Sequence, residues 1–398
     1  MRHKFEIILT HIIVFELVLG GTGQTFKFGF ITLRQILFII AILYFSFSVF
    51  FKSQRKIYDD FYLYLLFYFA VFWSLISAII GVFREHDFSL VLGDLSPMLY
   101  FLMYFPFGYF VRNNEISYEK IMISICLASF VVSTICIALY VSYFLVFDRN
   151  ISLVREFSNS IFGKDVIWFR LGGFVVYPGQ TFVLCSQLFC FSKLLRSRSI
   201  THGLLYFIFT LTIILSMTKG FLICSLLGQF MLIFLLPRVS SHFKALAVIF
   251  IILVSFVSTK SVDFSRFYET KNDHGVQIRL QTMSDTLDKM DSVPVILFGN
   301  GFGTELPLKK AHQENSYFDI FLEQGIVGLS IYFLFILLLL TYFNRNIVLA
   351  VTLLSVFILS LTNPYVNNPL GISIIIITMV YLIRPRNELV STGRPHER

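Results

Sequence analysis

Runs of about 20 apolar residues recur along the whole of this chain, and a bilayer core takes about that length of helix per crossing. Spans are expected near residues 5–20, 32–51, 61–83, 90–111, 119–147, 171–193, 203–217, 220–237, 243–259, 325–343, 346–362 and 370–383, about twelve in all. Composition points the same way. Hydrophobic residues make up 56% of the chain and charged residues 14%, with 48 Phe among 398 residues. No water-soluble domain needs that much apolar surface. The expected fold is therefore an all-α polytopic integral membrane protein, a single transmembrane domain over residues 1–383. The first span starts with Arg2 and Lys4 and has no small-x-small cleavage site after it, so it reads as a retained span and not as a cleaved signal.

Lysine and arginine in short loops set the expected orientation. With the N-terminus in the cytoplasm and strict alternation, more than half of the 32 Lys and Arg fall on the inner side, while the short outer connections hold only Lys27, Arg34, Arg84 and Lys219. The others lie in two long outer segments, 148–170 and 260–324, where the rule loses force. Both termini are then cytoplasmic, with residues 384–398 as a polar tail. A net charge of +8 follows largely from this topological bias, with contact to anionic membrane lipids, and calls for no nucleic acid. The five cysteines, Cys126, Cys136, Cys185, Cys190 and Cys224, all fall inside expected spans, so no disulfide framework is implied. No CxxC, HExxH or paired-His spacing occurs, and neither a metal nor another cofactor is expected.

Only the two long outer segments have room for chemistry. In the larger, Val276, Leu280, Met283, Leu287 and Met290 recur at three- and four-residue spacing, which predicts a helix with one apolar stripe. Arg279 borders that stripe and Asp285 points away from it, so Arg279 is expected to face protein or membrane. It is either an arginine snorkelling from a surface helix or a cation over the mouth of a site. Arg170 stands at the start of the sixth span, and Lys219 lies in a very short break between two spans. A helix-end lysine reaching the interface is the plain reading of Lys219, and a lysine facing a polar cavity is the functional one. "FGNGFGTELP" reads as a tight turn with backbone N–H groups open to a ligand. Three cations on one outer surface suit a polyanion such as the diphosphate of a lipid carrier.

The stretch "HQENSYFDIFLEQGIVGL", residues 312–329, is polar and then abruptly apolar. His312 and Glu314 are candidate bases for a sugar hydroxyl. His312 is favoured because its ordinary pKa of about 6.5 leaves it neutral at working pH, although both residues could simply cap and solvate a surface helix 314–324. Asn315 orients a glycan or caps that helix, Tyr317 packs at headgroup level, and Glu323 and Gln324 mark where the helix enters the bilayer. Glu16, Asp94 and His11 lie at membrane depth and need partners, with Arg34 a plausible one for Asp94.

The order "RLGGF", then "SMTKG", then an arginine-bearing outer loop, then "GNGFG" and "HQENSYFDIFLEQGIVGL", resembles the O-antigen polymerase and O-antigen ligase superfamily. The start "GGTGQTFKFGFITLRQILFII" is similar to the polymerase branch. The resemblance implies an inner-membrane glycosyltransferase of the C-type fold, using neither metal nor nucleotide sugar, whose active site is periplasmic and whose outer loop carries short amphipathic helices. It implies an undecaprenyl diphosphate-linked oligosaccharide as substrate and allows a chain-length regulator protein as partner. Carried over by position, Arg170, Lys219 and Arg279 hold the diphosphate, His312 or Glu314 activates the acceptor hydroxyl, and Asn315 and Tyr317 touch glycan. Two positions depart from the family pattern: Lys219 stands where arginine is commoner, and Glu314 stands where histidine often precedes the asparagine. The expected activity is polymerisation of lipid-linked repeat units. Ligation of finished glycan to lipid A core is the alternative, followed by a lipid-linked oligosaccharide flippase or other transporter.

Overall fold

The computed structural model describes residues 2–21, 27–28, 31–51, 61–162, 167–170, 174–237, 274–307 and 315–383, with scattered positions between 241 and 249. Its helices are α1 (Arg2–Leu19), α2 (Leu33–Phe51), α3 (Phe61–Phe83), α4 (Phe88–Met98), α5 (Tyr104–Asn113), α6 (Tyr118–Leu145), α7 (Ile151–Phe162), α8 (Gln180–Ser197), α9 (Ile200–Leu215) and α10 (Lys219–Leu235). After these come α11 (His274–Asp288), α12 (Val293–Phe298), α13 (Ser316–Thr341), α14 (Ile347–Leu359) and α15 (Pro369–Leu382). Two short antiparallel hairpins, β1 (Lys27–Phe28) with β2 (Ile31–Thr32) and β3 (Trp168–Arg170) with β4 (Phe174–Val176), are the only strands among the described residues. The protein is a mostly helical membrane protein. Among the described residues, five helical stretches are long and apolar enough to cross a bilayer: Leu33–Phe51, Phe61–Phe83, Phe88–Asn113, Tyr118–Leu145 and Ser316–Thr341.

Two expected spans differ in detail. The sixth begins at Gln180, not near 171, because Phe174–Val176 pairs as a strand before it. The fourth is two α-helices joined by a 3₁₀ turn, Leu99–Met103, with Pro97 in the last turn of the first helix. Proline has no N–H to donate and crowds the carbonyl four residues back, which loosens the helix there. The span expected at 243–259 and the tail 384–398 lie almost wholly outside the described residues.

Aromatic side chains fill much of the core. Phe67 stacks on Tyr104 at 4.0 Å and Phe101 on Phe335 at 5.9 Å, joining α3 and the fourth span to α13. Polar glue joins α8, α9 and α10 in one chain of bonds. Gln187 Nε2 donates to Thr210 Oγ1 at 2.8 Å, Ser225 Oγ to Gln187 Oε1 at 2.8 Å, Gln229 Nε2 to Ser225 Oγ at 2.8 Å and Tyr206 OH to Gln229 Oε1 at 2.6 Å. With hydrocarbon outside, such bonds hold helices that apolar burial alone would not order.

Contacts between helix termini define two ends. At one, His3 meets Asn114 at 2.7 Å, Asn114 Nδ2 donates to Glu6 at 2.7 Å, and Lys193 pairs with Glu119. There too Tyr381 OH donates to Ile116 O at 3.0 Å and Arg345 to Ile383 O at 3.1 Å. The other end gathers the close of α1, the start of α8, the α3–α4 turn and the starts of α10, α13 and α15. The candidate site lies at this second end.

Candidate functional site

The glycine-rich turn and the break in α13 are one construction. Gly325, at φ +66° and ψ −164°, splits α13 into 316–324 and 326–341, at the boundary where the expected span begins. A side chain there would meet Leu297 O at 2.3 Å. The amides of the turn 300–303 all donate inside the protein: Asn300 N to Leu322 O at 2.7 Å, Gly301 N to Glu323 O at 3.0 Å, Phe302 N to Ser77 O at 3.0 Å and Gly303 N to Asp94 Oδ2 at 2.7 Å. The expectation of amides open to a ligand is therefore overturned. They pin the turn between α3, α4 and α13, with the Phe302 side chain fully buried. Around it Arg84 donates to Asn300 Oδ1, His86 Nδ1 lies 2.8 Å from Phe302 O, and Lys289 Nζ donates to Glu305 O at 2.6 Å.

Glu323 and Gln324 directly precede the break at Gly325. Both are buried inside the protein. Glu323 is hydrogen-bonded to Asp94 and lies near Asp319, one turn back on the same face of α13. Asn367 Nδ2 donates to Asp319 Oδ2 at 2.7 Å, and Ser316 Oγ to Asn367 Oδ1 at 3.1 Å. Asp94 is thus not the partner of Arg34, which pairs instead with Glu16 at 2.9 Å. His11 meets Ser124 Oγ at 2.7 Å. The sequence does carry a signal for the carboxyl cluster: Asp319 and Glu323 sit four residues apart in a helix. Only the fold brings Asp94 to them.

Three helix N-termini meet at the turn 360–368. Ser316 N donates to Ser360 O at 3.1 Å and Ser316 Oγ to Asn363 O at 3.2 Å, which seats the start of α13. Gly220 approaches Thr362 so closely that a Cβ would lie 2.6 Å from its Oγ1, which seats the start of α10. α15 begins at the turn itself, where Asn368 Oδ1 accepts from Leu370 N at 3.0 Å and Gly371 N at 3.1 Å. Each N-terminus carries the equivalent of about half a positive charge. Lys219, the exposed first residue of α10, adds a full one, while Asp319 opposes them from its bond to Asn367.

Asn315 is at this point too, and its Oδ1 accepts from Tyr317 N at 3.0 Å, so it caps α13. Tyr317 is half-buried and donates its hydroxyl to Phe357 O at 2.8 Å, which packs it on α14. His312 and Glu314 lie outside the described residues, directly before Asn315. The structure thus brings Lys219, Asn315 and Tyr317 together.

Arg279 and Arg170 are placed by other elements. Arg279 is exposed on α11, whose far end is tied to the glycine turn through Asn300 Nδ2 and Lys289 O at 3.3 Å. α11 does form where the apolar spacing predicted it, but Leu280 and Leu287 point outward, while Thr282 and Thr286 are buried. Arg170 pairs with Phe174 in the hairpin that packs on α6, α7 and α9, the last of which leads into Lys219. Among the described residues no group of three His, Cys, Asp or Glu is placed to hold a metal ion.

Residues 204–333 match the O-antigen ligase family. An O-antigen polymerase of Shigella flexneri is 22% identical, over 99% of this chain and 98% of that protein. The resemblance to the O-antigen polymerase and ligase superfamily is borne out. The O-antigen ligase match runs from α9 into the membrane-crossing half of α13. It takes in Lys219, Arg279, His312, Glu314, Asn315, Tyr317 and Glu323, and leaves Arg170 and Asp94 outside.

Proposed function

We propose that this protein is a glycosyltransferase of the O-antigen polymerase type, which joins lipid-linked oligosaccharide repeat units on the periplasmic face of the bacterial inner membrane. The observation that carries the reading is the meeting of three helix N-termini beside Lys219, at the point where residues 308–314 run into Asn315. Such a place favours a diphosphate over a neutral sugar. In the reaction the acceptor hydroxyl attacks the anomeric carbon of the donor glycan. The bond from that carbon to the undecaprenyl diphosphate oxygen breaks, and the diphosphate leaves with the electron pair. His312 or Glu314 takes the hydroxyl proton. Arg170, Lys219 and Arg279 receive the charge that develops on the leaving group, the arginines by a two-pronged grip and the lysine as a point charge. Asn315 holds the frame of the site through its cap, and its amide nitrogen is the group assigned to glycan.

Turnover by purified protein given lipid-linked repeat units tests this. Lys219→Ala is expected to slow it by about a hundredfold, the effect of removing one donor from a developing charge. Lys219→Arg is expected to restore most of the rate, and an unchanged alanine variant would remove the N-terminal cluster from the reaction. Transfer of finished glycan to lipid A core is the second reading, favoured by the family that residues 204–333 match. A deletion strain separates the two. Single repeat units in place of polymer indicate a polymerase, and polymer left on its lipid carrier indicates a ligase.

A further inference from the structure

Two helices outside the membrane-crossing stretches divide their surfaces in three, not two. In α11 the side against the protein is formed by Ile278, Thr282, Asp285 and Thr286, with both threonines buried. On a wheel at about 100° per residue, Gln277, Gln281, Ser284 and Asp288 make a second side, polar and exposed. The third side carries Leu280 and Leu287, 62% and 57% exposed, with half-buried Met283 beside them. α7 repeats the plan. Val154 and Ser158 are buried, Leu153, Phe157 and Ile161 form an exposed row at four-residue spacing, and Ser152, Arg155, Glu156 and Ser160 take the remaining arc.

Leucines turned outward while threonines face the protein make no sense for a helix surrounded by water. The arrangement fits a helix with protein on one side, water on the second and hydrocarbon on the third. A bilayer is already required by the five membrane-crossing stretches. The exposed apolar surface also continues from the spans to these elements. α12, next to α11, exposes Val293, Leu297 and Phe298, and the Phe298 ring lies 5.9 Å from Trp73 of α3, which itself exposes Phe69, Phe72 and Ile79.

We infer that α7 and α11 lie on the bilayer surface, with Leu153, Phe157 and Ile161 of one and Leu280 and Leu287 of the other set among the acyl chains. Arg279 falls on the seam between the protein side and the apolar side of α11. At that depth its guanidinium is in the phosphate layer. Resting on the glycosyl-transfer reading, this gives the route of the substrate: the lipid-borne diphosphate meets Arg279 sideways from the membrane, not from the water above.

Nitroxides on single introduced cysteines, in full-length protein reconstituted into lipid vesicles, test the placement. The native cysteines are buried, and labelled wild type supplies the background. At positions 280 and 287, and at 153, 157 and 161, collisions with oxygen are expected to exceed collisions with a water-soluble nickel chelate several-fold. Positions 281, 284 and 152 are expected to show the reverse. Nickel access at 280 and 287 equal to that at 281 would overturn the inference, and so would labels there shielded from both reagents, as a second copy or a partner protein would cause. No turnover enters this measurement, so a failed glycosyl-transfer assay leaves the placement standing. A watery α11 in an active enzyme would overturn the placement, and the sideways route with it, while leaving the glycosyl-transfer reading standing.

Discussion

His312 and Glu314 stand three and one residues before the Asn315 cap, and either could take a proton from a sugar hydroxyl. Magnitudes separate catalysis from capping. A general base contributes about 10²–10⁴-fold in rate, whereas a lost helix cap costs about 1 kcal/mol of stability. With His312 as base, His312→Ala is expected to cut turnover by about a hundredfold or more, with little change in melting temperature. Glu314→Gln is then expected to be milder, since it keeps the shape and removes only the charge. A dead Glu314→Gln beside an active His312→Ala would give the role to Glu314. Two variants within a few-fold of wild type would leave the stretch as a cap and nothing more. Arg279 is separable in the same way. Arg279→Ala is expected to abolish polymer while the protein still accumulates in the membrane, because the leaving diphosphate loses a donor. Arg279→Lys is expected to recover part of the activity, since the charge stays and the fork is lost. Full activity in the alanine variant would return Arg279 to plain snorkelling.

Among the elements, the clamp of the glycine turn on α3, α4 and α13 gives a contrast between two glycines a dozen residues apart. A Cβ at Gly81 would lie 2.2 Å from Phe302 O, a rigid backbone atom, whereas a Cβ at Gly93 of α4 would meet nothing within 4 Å. Gly81→Ala is expected to lower the melting temperature by several degrees or to prevent accumulation, because the turn must move off α3. Gly93→Ala is expected to hold or raise it, since alanine is better than glycine inside a helix by up to about 1 kcal/mol. Equal behaviour of the two would mean that the clamp adds nothing to stability. Part of this was legible in the sequence. The glycines announced a tight turn, and Gly325 fell at the break in α13. The use of the amides was not, because their acceptors on Ser77, Asp94, Leu322 and Glu323 are remote in the chain. The same reason hid the pairing of Glu323 with Asp94 and of Arg34 with Glu16. The stripe on α11 was legible as apolar. Its outward direction was not, because hydrophobicity alone does not tell a protein surface from a lipid one.

At the scale of the molecule, the mostly helical, membrane-spanning character was the most legible feature of the sequence, since apolar length is a local property. The short helices were harder to bound. α14 and α15, with 13 and 14 residues, fall well short of the 20 or so that a full crossing takes. Orientation remains a separate matter, because contacts among helix ends sort the termini into two groups without saying which faces the cytoplasm. Loop charge is the basis of the proposed orientation. Lys193, Arg196, Arg198 and Arg345 sit with the N-terminus at one end, and the candidate site sits at the other. A positive excess marks the cytoplasmic side because basic loops resist transfer across the membrane. A cysteine introduced at Asn272, just before α11, is therefore expected to react with a membrane-impermeant maleimide in intact spheroplasts. One introduced at Ser53, between α2 and α3, is expected to react only after the membrane is opened. Labelling at Ser53 with protection at Asn272 would invert the molecule and put Lys219, Arg279 and His312 in the cytoplasm, where a periplasmic glycosyl transfer is ruled out.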